Sequence, residues 1–222
     1  MIETALGTNI AFTAPHRLAT KAGFDILEAG GSAVEAMVAA AAQIAVVYPH
    51  MNSIGGDGFW LIKKEGKNPV AISACGPAAQ NANLDWYAEK GHSKTIPTRG
   101  PLAALTVPGT ISGWQLALEL DRPVSPIPLT ELLSAAINKA KNGIAVSQNQ
   151  YDTLKNKKPE LAEVPGFKQF YFNGNDVPKA GSKLIQAKLG ETLERLSRAG
   201  LGDFYTGELG QTHAKFLQQQ GS

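Results

Sequence analysis

The chain has 222 residues, 21 basic and 19 acidic, and a formal charge of +2 at pH 7. That is enough for one large domain with a real core. At 43% hydrophobic residues and with no low-complexity run, it is not a disordered chain. Its densest basic spot (Lys155, Lys157 and Lys158) has no aromatic pattern around it, which excludes the usual RNA- and DNA-binding classes. A single cysteine, Cys75, rules out an internal disulfide and any multi-cysteine metal site.

In chain order, residues 17–29 predict an amphipathic helix with Leu18, Ala22, Ile26 and Ala29 on one face, stopped by Gly30-Gly31. Ser32 and Glu35 form a capping box that opens an alanine-rich helix running to Pro49. Apolar nearly all round, this helix should be buried. The stretch 36–48 is too short to span a bilayer, and Gln43 interrupts it. The first sixteen residues lack the basic and apolar parts of a signal peptide, so the expectation is a cytoplasmic protein outside the membrane, or a periplasmic one if a leader has been removed.

Residues 50–58 (HMNSIGGDG) predict a loop, followed by strands at 59–63 and 69–74 with a tight turn between them. A short helix capped by Asn83 is expected at 83–89, then a proline-punctuated loop over 92–109. Helices are predicted at 110–120 and 130–142, the second ended by Gly143. A further helix starts at a second capping box, Ser147 with Gln150. Residues 159–182 are expected to be mostly loop, with helices near 187–199 and from Gly207 onward. With so few strands, the first helices should be covered by a sheet completed outside this sequence.

Several residues carry possible chemistry. Gly55-Gly56-Asp57-Gly58 is preceded by a helix and followed by a strand, the reverse of a phosphate cradle, and therefore reads as a turn at a close backbone approach. None of the four histidines has metal-site spacing, and no metal or organic cofactor is implied. His50, beside the glycines, reads as structural rather than catalytic. Cys75 reads as a small buried filler. Ser112 in GTISG is one residue out of step with a nucleophile elbow. Arg99, in a proline-rich loop, is able to clamp a carboxylate with its planar fork.

Ala14-Pro-His16, the run AGFDILEAGGSAVEAMVAAAAQIAVVYPHMNSIGGDGFWLI (22–62), TVPGTISGW (106–114), AINKAKNGIAVS (136–147) and GLGDFYTGE (200–208) together resemble the γ-glutamyltranspeptidase family. The resemblance implies an N-terminal nucleophile hydrolase fold, a mixed α+β four-layer αββα sandwich completed by a small subunit. Residues 1–222 would be a single domain in the N-terminal part of the large subunit. It also implies a precursor that cuts itself in front of a threonine, which then attacks an amide with its own α-amine as base. No catalytic residue is therefore expected in this chain, and the partners implied are the small subunit and a small amide, with a dimer of heterodimers as a conceivable larger assembly.

Glutathione-cleaving members carry an arginine after the second strand that grips the γ-glutamyl carboxylate. Ser73, in Ser73-Ala74-Cys75-Gly76-Pro77, stands in that place. The glycine loop and Ile96–Pro101 are more similar to the oxamate amidohydrolase branch. The substrate-binding candidates are accordingly Ser73, Arg99, His50, Asn52, Gly55 and Gly56. A γ-glutamyl transferase or glutathione hydrolase, a β-lactam side-chain acylase and a non-enzymatic scaffold are the competing readings.

Overall fold

The structure, a computed structural model, describes residues 6–103, 106–172 and 174–219. Parts of three expected segments (Ala104–Leu105, Asn173 and the Gln220–Ser222 end) lie outside the described residues, as do residues 1–5.

Helix α1 (Arg17–Glu28) ends at Ala29, and Gly30 turns the chain away at φ +86°. His16 caps its start, the ring Nδ1 accepting the Leu18 N–H at 3.2 Å, a role the sequence did not announce. Helix α2 (Ala33–Val47) begins with the expected reciprocal capping box. Glu35 does more than close that box: while one carboxylate oxygen accepts the Ser32 N–H, the other accepts the Ile127 N–H at 2.7 Å. The proline-rich 121–128 connector is thereby tied to the start of α2.

Strands β1 (Gly58–Ile62) and β2 (Val70–Ala74) form an antiparallel hairpin, with Gly58 opposite Ala74 and Ile62 opposite Val70. Short α3 (Leu84–Glu89) is capped by Asn83 as expected. Helix α4 (Thr110–Asp121) follows, and the helix expected over 130–142 is broken at Leu133 into α5 (Leu129–Leu132) and α6 (Ser134–Asn142). Two more strands, β3 (Ile144–Ala145) and β4 (Lys183–Leu184), pair antiparallel; at two residues each they were too short to leave a sequence signal.

Helix α7 (Gln148–Leu161) has only half of its predicted capping box. Ser147 Oγ accepts the Gln150 N–H, but the Gln150 side chain turns inward and is fully buried instead of reaching back. The helix also runs through Pro159 and is followed by α8 (Phe167–Tyr171), so the expected 159–182 loop is shorter than the proline content suggested. The series ends with α9 (Ala187–Ala199), α10 (Asp203–Thr206) and α11 (Glu208–Gln219). No helix among the described residues is long and apolar enough to cross a membrane.

Four helices pack on α2. It packs on α1, α6, α4 and α5, and its alanines (Ala36, Ala39, Ala42, Ala45) let these neighbours approach closely around Ile111, Trp114, Leu133 and Leu193. The hairpin also reaches α2, where Val34 packs with Ile72 and Ala74. The incomplete sheet is the β1–β2 hairpin itself. Its inner residues Ile72 and Ala74 pack on α4, while Phe59 and Leu61 on its outer face are 74% and 77% exposed.

Candidate functional site: the glycine loop, the hairpin and the start of α4

Strand alternation puts Phe59, Leu61, Ala71 and Ser73 on the outer face of the hairpin and Trp60, Ile62, Ile72 and Ala74 on the inner one. Ser73, directly opposite Phe59, is exposed. Its hydroxyl lies 3.7 Å from Cys75 Sγ, which puts both side chains on the same side. Cys75 is exposed, contrary to the buried role its position suggested, because it follows the outward-facing Ser73 by two residues.

The loop before β1 is fastened to the beginning of α4. Gly56 C=O accepts the Gly109 and Thr110 N–H groups, both at 2.9 Å, and the Thr110 hydroxyl at 2.8 Å. Thr110 Oγ1 also lies 3.0 Å from the Asp57 carbonyl. Close passage of the chain behind the hairpin requires two glycines. A Cβ at Gly109 would overlap the Ala74 carbonyl oxygen, and one at Gly76 would overlap that of Val107. Gly55 and Gly56 themselves face no such crowding, since only Ser53 Oγ lies within 4 Å of a Cβ built on either. The backbone approach expected at the glycine cluster is therefore made through the Gly56 carbonyl, and the sterically forced glycines lie at the other end of the contact.

Helix α4 has no side-chain cap, and its first amides are satisfied from outside. Thr110 N–H goes to Gly56, and Ser112 N–H goes to the Tyr205 hydroxyl at 2.9 Å. Tyr205 in turn donates to the Pro108 carbonyl at 2.8 Å. Two of the donors that an anion at the α4 N-terminus would use are thus already taken. Ser112 Oγ donates to the Gly109 carbonyl at 2.8 Å, a helix-start bond that removes it from the list of nucleophiles. Thr110 and Tyr205 are the residues that sequence reasoning missed, although both lie in segments it had singled out as family-like.

The structure disperses the six substrate-binding candidates. Ser73 lines a trough of about 330 Å³ along the free edge of β2, opposite Ser112, Gln115 and Glu119 of α4. Gly55 lines a separate apolar groove of about 620 Å³ between Val107–Pro108 and Phe204, His213 and Phe216. Gly56 is the α4 anchor described above, and the Asn52 N–H bonds to the Tyr48 carbonyl. His50 Nε2 lies 2.7 Å from Asn149 Oδ1, which also accepts the Tyr48 hydroxyl at 2.9 Å. Because an amide oxygen only accepts, His50 is the donor there, a structural tie between the end of α2 and the start of α7.

Arg99 sits near the other end of α7. Its guanidinium is 3.6 Å from Glu160 and bonds weakly to the Thr98 carbonyl. Eleven residues of helix separate Asn149 from Glu160, about 16 Å along the axis, so His50 and Arg99 are anchored far apart. Hydrogen bonding from Lys157, and then the nearby Arg99, hold Glu160 below the usual carboxylate range. Near His50, Tyr171 donates to the Pro49 carbonyl at 2.8 Å, and burial pushes its phenol up to about 12. Among the described residues no group of three His, Cys, Asp or Glu is placed to hold a metal ion.

Comparison with known proteins adds the wider context. The family model described as Gamma-glutamyltranspeptidase matches residues 19–222. The chain is 44% identical over 223 residues to the oxamate amidohydrolase proenzyme of Klebsiella pneumoniae, with all of this chain and 42% of that protein aligned. It is 31% identical to the glutathione hydrolase proenzyme of Escherichia coli, over 91% of this chain and 35% of that one. The crystal structure of Helicobacter pylori gamma-glutamyltranspeptidase superposes with a TM-score of 0.82 at 29% identity, covering 100% of this chain and 62% of that chain. The chain thus spans roughly two fifths of the length of these curated relatives.

Proposed function

The chain belongs to the γ-glutamyltranspeptidase family, and from that membership we propose that residues 1–222 are one domain, the N-terminal part of the large subunit of a self-processing amide hydrolase. In this reading the attacking group is an N-terminal threonine on a small subunit cut from the same precursor. The relatives are proenzymes more than twice as long as this chain, which leaves room for such a companion. The companion would cover the exposed Phe59–Leu61 face and extend the sheet along the trough beside β2, which among the described residues pairs only with β1.

The chemistry follows from the nucleophile. The threonine hydroxyl adds to the amide carbonyl while its α-amine, with an ordinary pKa of about 7.7–8.0, takes the proton. The C–N bond breaks, and the nitrogen leaves with that proton. Water, or an acceptor amine, then releases the acyl group. This chain contributes scaffold and part of the pocket.

The substrate we propose is a small anionic amide of the oxamate type. The observation that carries this is Ser73: the outer face of β2 presents a neutral hydroxyl where a γ-glutamyl carboxylate would need a charged fork. Similarity along the whole of this chain to an oxamate amidohydrolase proenzyme, of which it covers 42%, supports the same choice. Arg99 is the proposed cation for the substrate carboxylate, because its exposed 3.6 Å pair with Glu160 costs little to exchange.

The test is kcat/KM of the processed full-length enzyme on oxamate and on glutathione. Preference for oxamate is expected, and preferential release of glutamate from glutathione would overturn the substrate assignment. Replacing Arg99 by Ala should lower kcat/KM for oxamate roughly 10- to 150-fold, the worth of a charge-assisted hydrogen bond. An unchanged value removes Arg99 from the pocket.

A further inference from the structure

Helix α4 lacks a cap of its own for a reason that lies in β2. The side chain before a helix usually accepts an amide of the first turn, as Ser32 does for Glu35 and Ser147 for Gln150. At α4 that position is Gly109, and any larger residue there would run its Cβ into the Ala74 carbonyl. Close passage along β2 and a side-chain cap are therefore incompatible at this residue. The cap comes instead from Tyr205, 93 residues beyond Ser112. Its hydroxyl accepts the Ser112 N–H at 2.9 Å and donates to the Pro108 carbonyl at 2.8 Å. One phenol thus fastens both ends of the turn 108–112.

Tyr205 is itself held. Its neighbour Phe204 is buried in the core, and the Arg195 fork grips Asp203 through two nitrogens. On its other side the turn is joined to the continuation of β2. Val107 N–H donates to the Pro77 carbonyl at 3.0 Å, and Thr106 forms an antiparallel bridge with Ala78. Gly76 passes so close to Val107 that a Cβ would overlap the Val107 carbonyl, and a Cβ at Gly113 would lie 2.8 Å from the Ala74 methyl. Residues 74–78 are thus seated against 106–113, and Ser73 is the next residue up the strand.

We propose that Tyr205 is a positioning residue for substrate binding: by capping α4 from α10 it fixes the 106–113 segment, and through that segment the Ser73 end of β2. This rests on the reading that the acyl side of the substrate lies over Ser73. Tyr205 touches neither the substrate nor the reacting threonine. The bonds that carry the effect lie inside this chain, so the corner is set independently of the companion subunit. Without the hydroxyl, the Ser112 N–H and the Pro108 carbonyl lose their partner and the turn gains motion. Substrate must then order the corner as it binds, so the loss falls on KM, while the bound complex reacts at its former rate.

The test compares two variants of the processed full-length enzyme. Tyr205→Phe keeps the ring and removes only the hydroxyl, and Ile26→Val trims the core at α1 at a comparable cost in stability. Tyr205→Phe should speed amide hydrogen exchange over 74–78 and 106–113 about fivefold, the worth of one neutral hydrogen bond. KM for oxamate should rise roughly three- to fivefold, with kcat per processed enzyme unchanged. Ile26→Val should leave both readings at their wild-type values. An unchanged KM in Tyr205→Phe, a fall in kcat in its place, an equal rise of KM in Ile26→Val, or exchange over 74–78 that stays at the wild-type rate overturns the proposal.

Ser73→Ala separates this failure from failure of the substrate reading. If Ser73→Ala raises KM and Tyr205→Phe does not, the positioning role alone is wrong. If neither variant changes KM, substrate lies elsewhere and both are overturned. Should wild type prefer glutathione, KM for glutathione is read in the same variants, and the prediction for Tyr205 is the same. A wild-type enzyme inactive on both amides overturns both.

Discussion

Replacing Thr110 by Val tests whether the glycine loop is positioned by α4. The substitution keeps the shape of a side chain that is only 8% exposed and removes one hydroxyl proton. That single proton is shared between the Gly56 and Asp57 carbonyls, at 2.8 and 3.0 Å. Gly56 keeps its two N–H donors, so it is not left unpaired. Asp57 is at the surface, where water replaces the lost donor. The cost is therefore that of an ordinary neutral hydrogen bond with no group left unpaired, about 1 kcal/mol. Concentrated in local opening, that is about a fivefold faster amide hydrogen exchange over residues 55–59. Thr110→Ser, which retains the hydroxyl, should keep the wild-type exchange rate in this loop even though it loses a buried methyl. Unchanged exchange in the Val variant, or an equal increase in the Ser variant, would refute the anchoring argument.

Other consequences are equally open to measurement. Gly109→Ala places a methyl on the Ala74 carbonyl oxygen and should markedly lower the thermal midpoint and soluble yield, whereas Gly55→Ala should leave both within experimental error. His16 caps α1 only when Nδ1 is unprotonated, and burial first, then the Arg17 charge, lowers its pKa from 6.5. The neutral form is the one folding favours, so this contribution is complete above 6.5 and is lost as pH falls through the lowered folded value. His16→Asn, which caps without titrating, should remove that part of the pH dependence of the melting temperature. Arg195 holds Asp203 through two nitrogens, at 2.6 and 3.0 Å, and reaches Glu208 with a third at 2.6 Å, joining α9 to α10 and α11. Arg195→Lys should not restore the thermal midpoint lost in Arg195→Ala, because an ammonium lacks the fork. The bond from Arg195 lowers the Asp203 pKa, so this contribution is present above about 3.8 and disappears as pH drops through the lowered value.

Much of the fold was legible because local chemistry and burial agreed. The Ser32–Glu35 box, the Gly30 and Gly143 stops and the alternation over 59–62 each correspond to a feature of the structure. Where the reading failed, tertiary contact overrode local pattern. Gln150 gave up the reciprocal cap to be buried, and α7 continued through Pro159. Strands β3 and β4 exist only because distant residues pair. The candidate site was legible as a set of segments, not as a geometry. Nothing in the composition of 50–58 shows that its carbonyls cap α4, since the bond partners lie more than fifty residues away. His50 and Arg99 were grouped as substrate-binding candidates, but Asn149 and Glu160 hold them toward opposite ends of α7.

The most direct test of the account is the intact mass and N-terminal sequence of the purified full-length gene product. Two polypeptides are predicted, the larger containing this chain and the smaller beginning with threonine, with amide hydrolysis lost when that threonine is replaced by alanine. A single uncleaved polypeptide that hydrolyses amides, or a smaller fragment beginning with another residue, would contradict it.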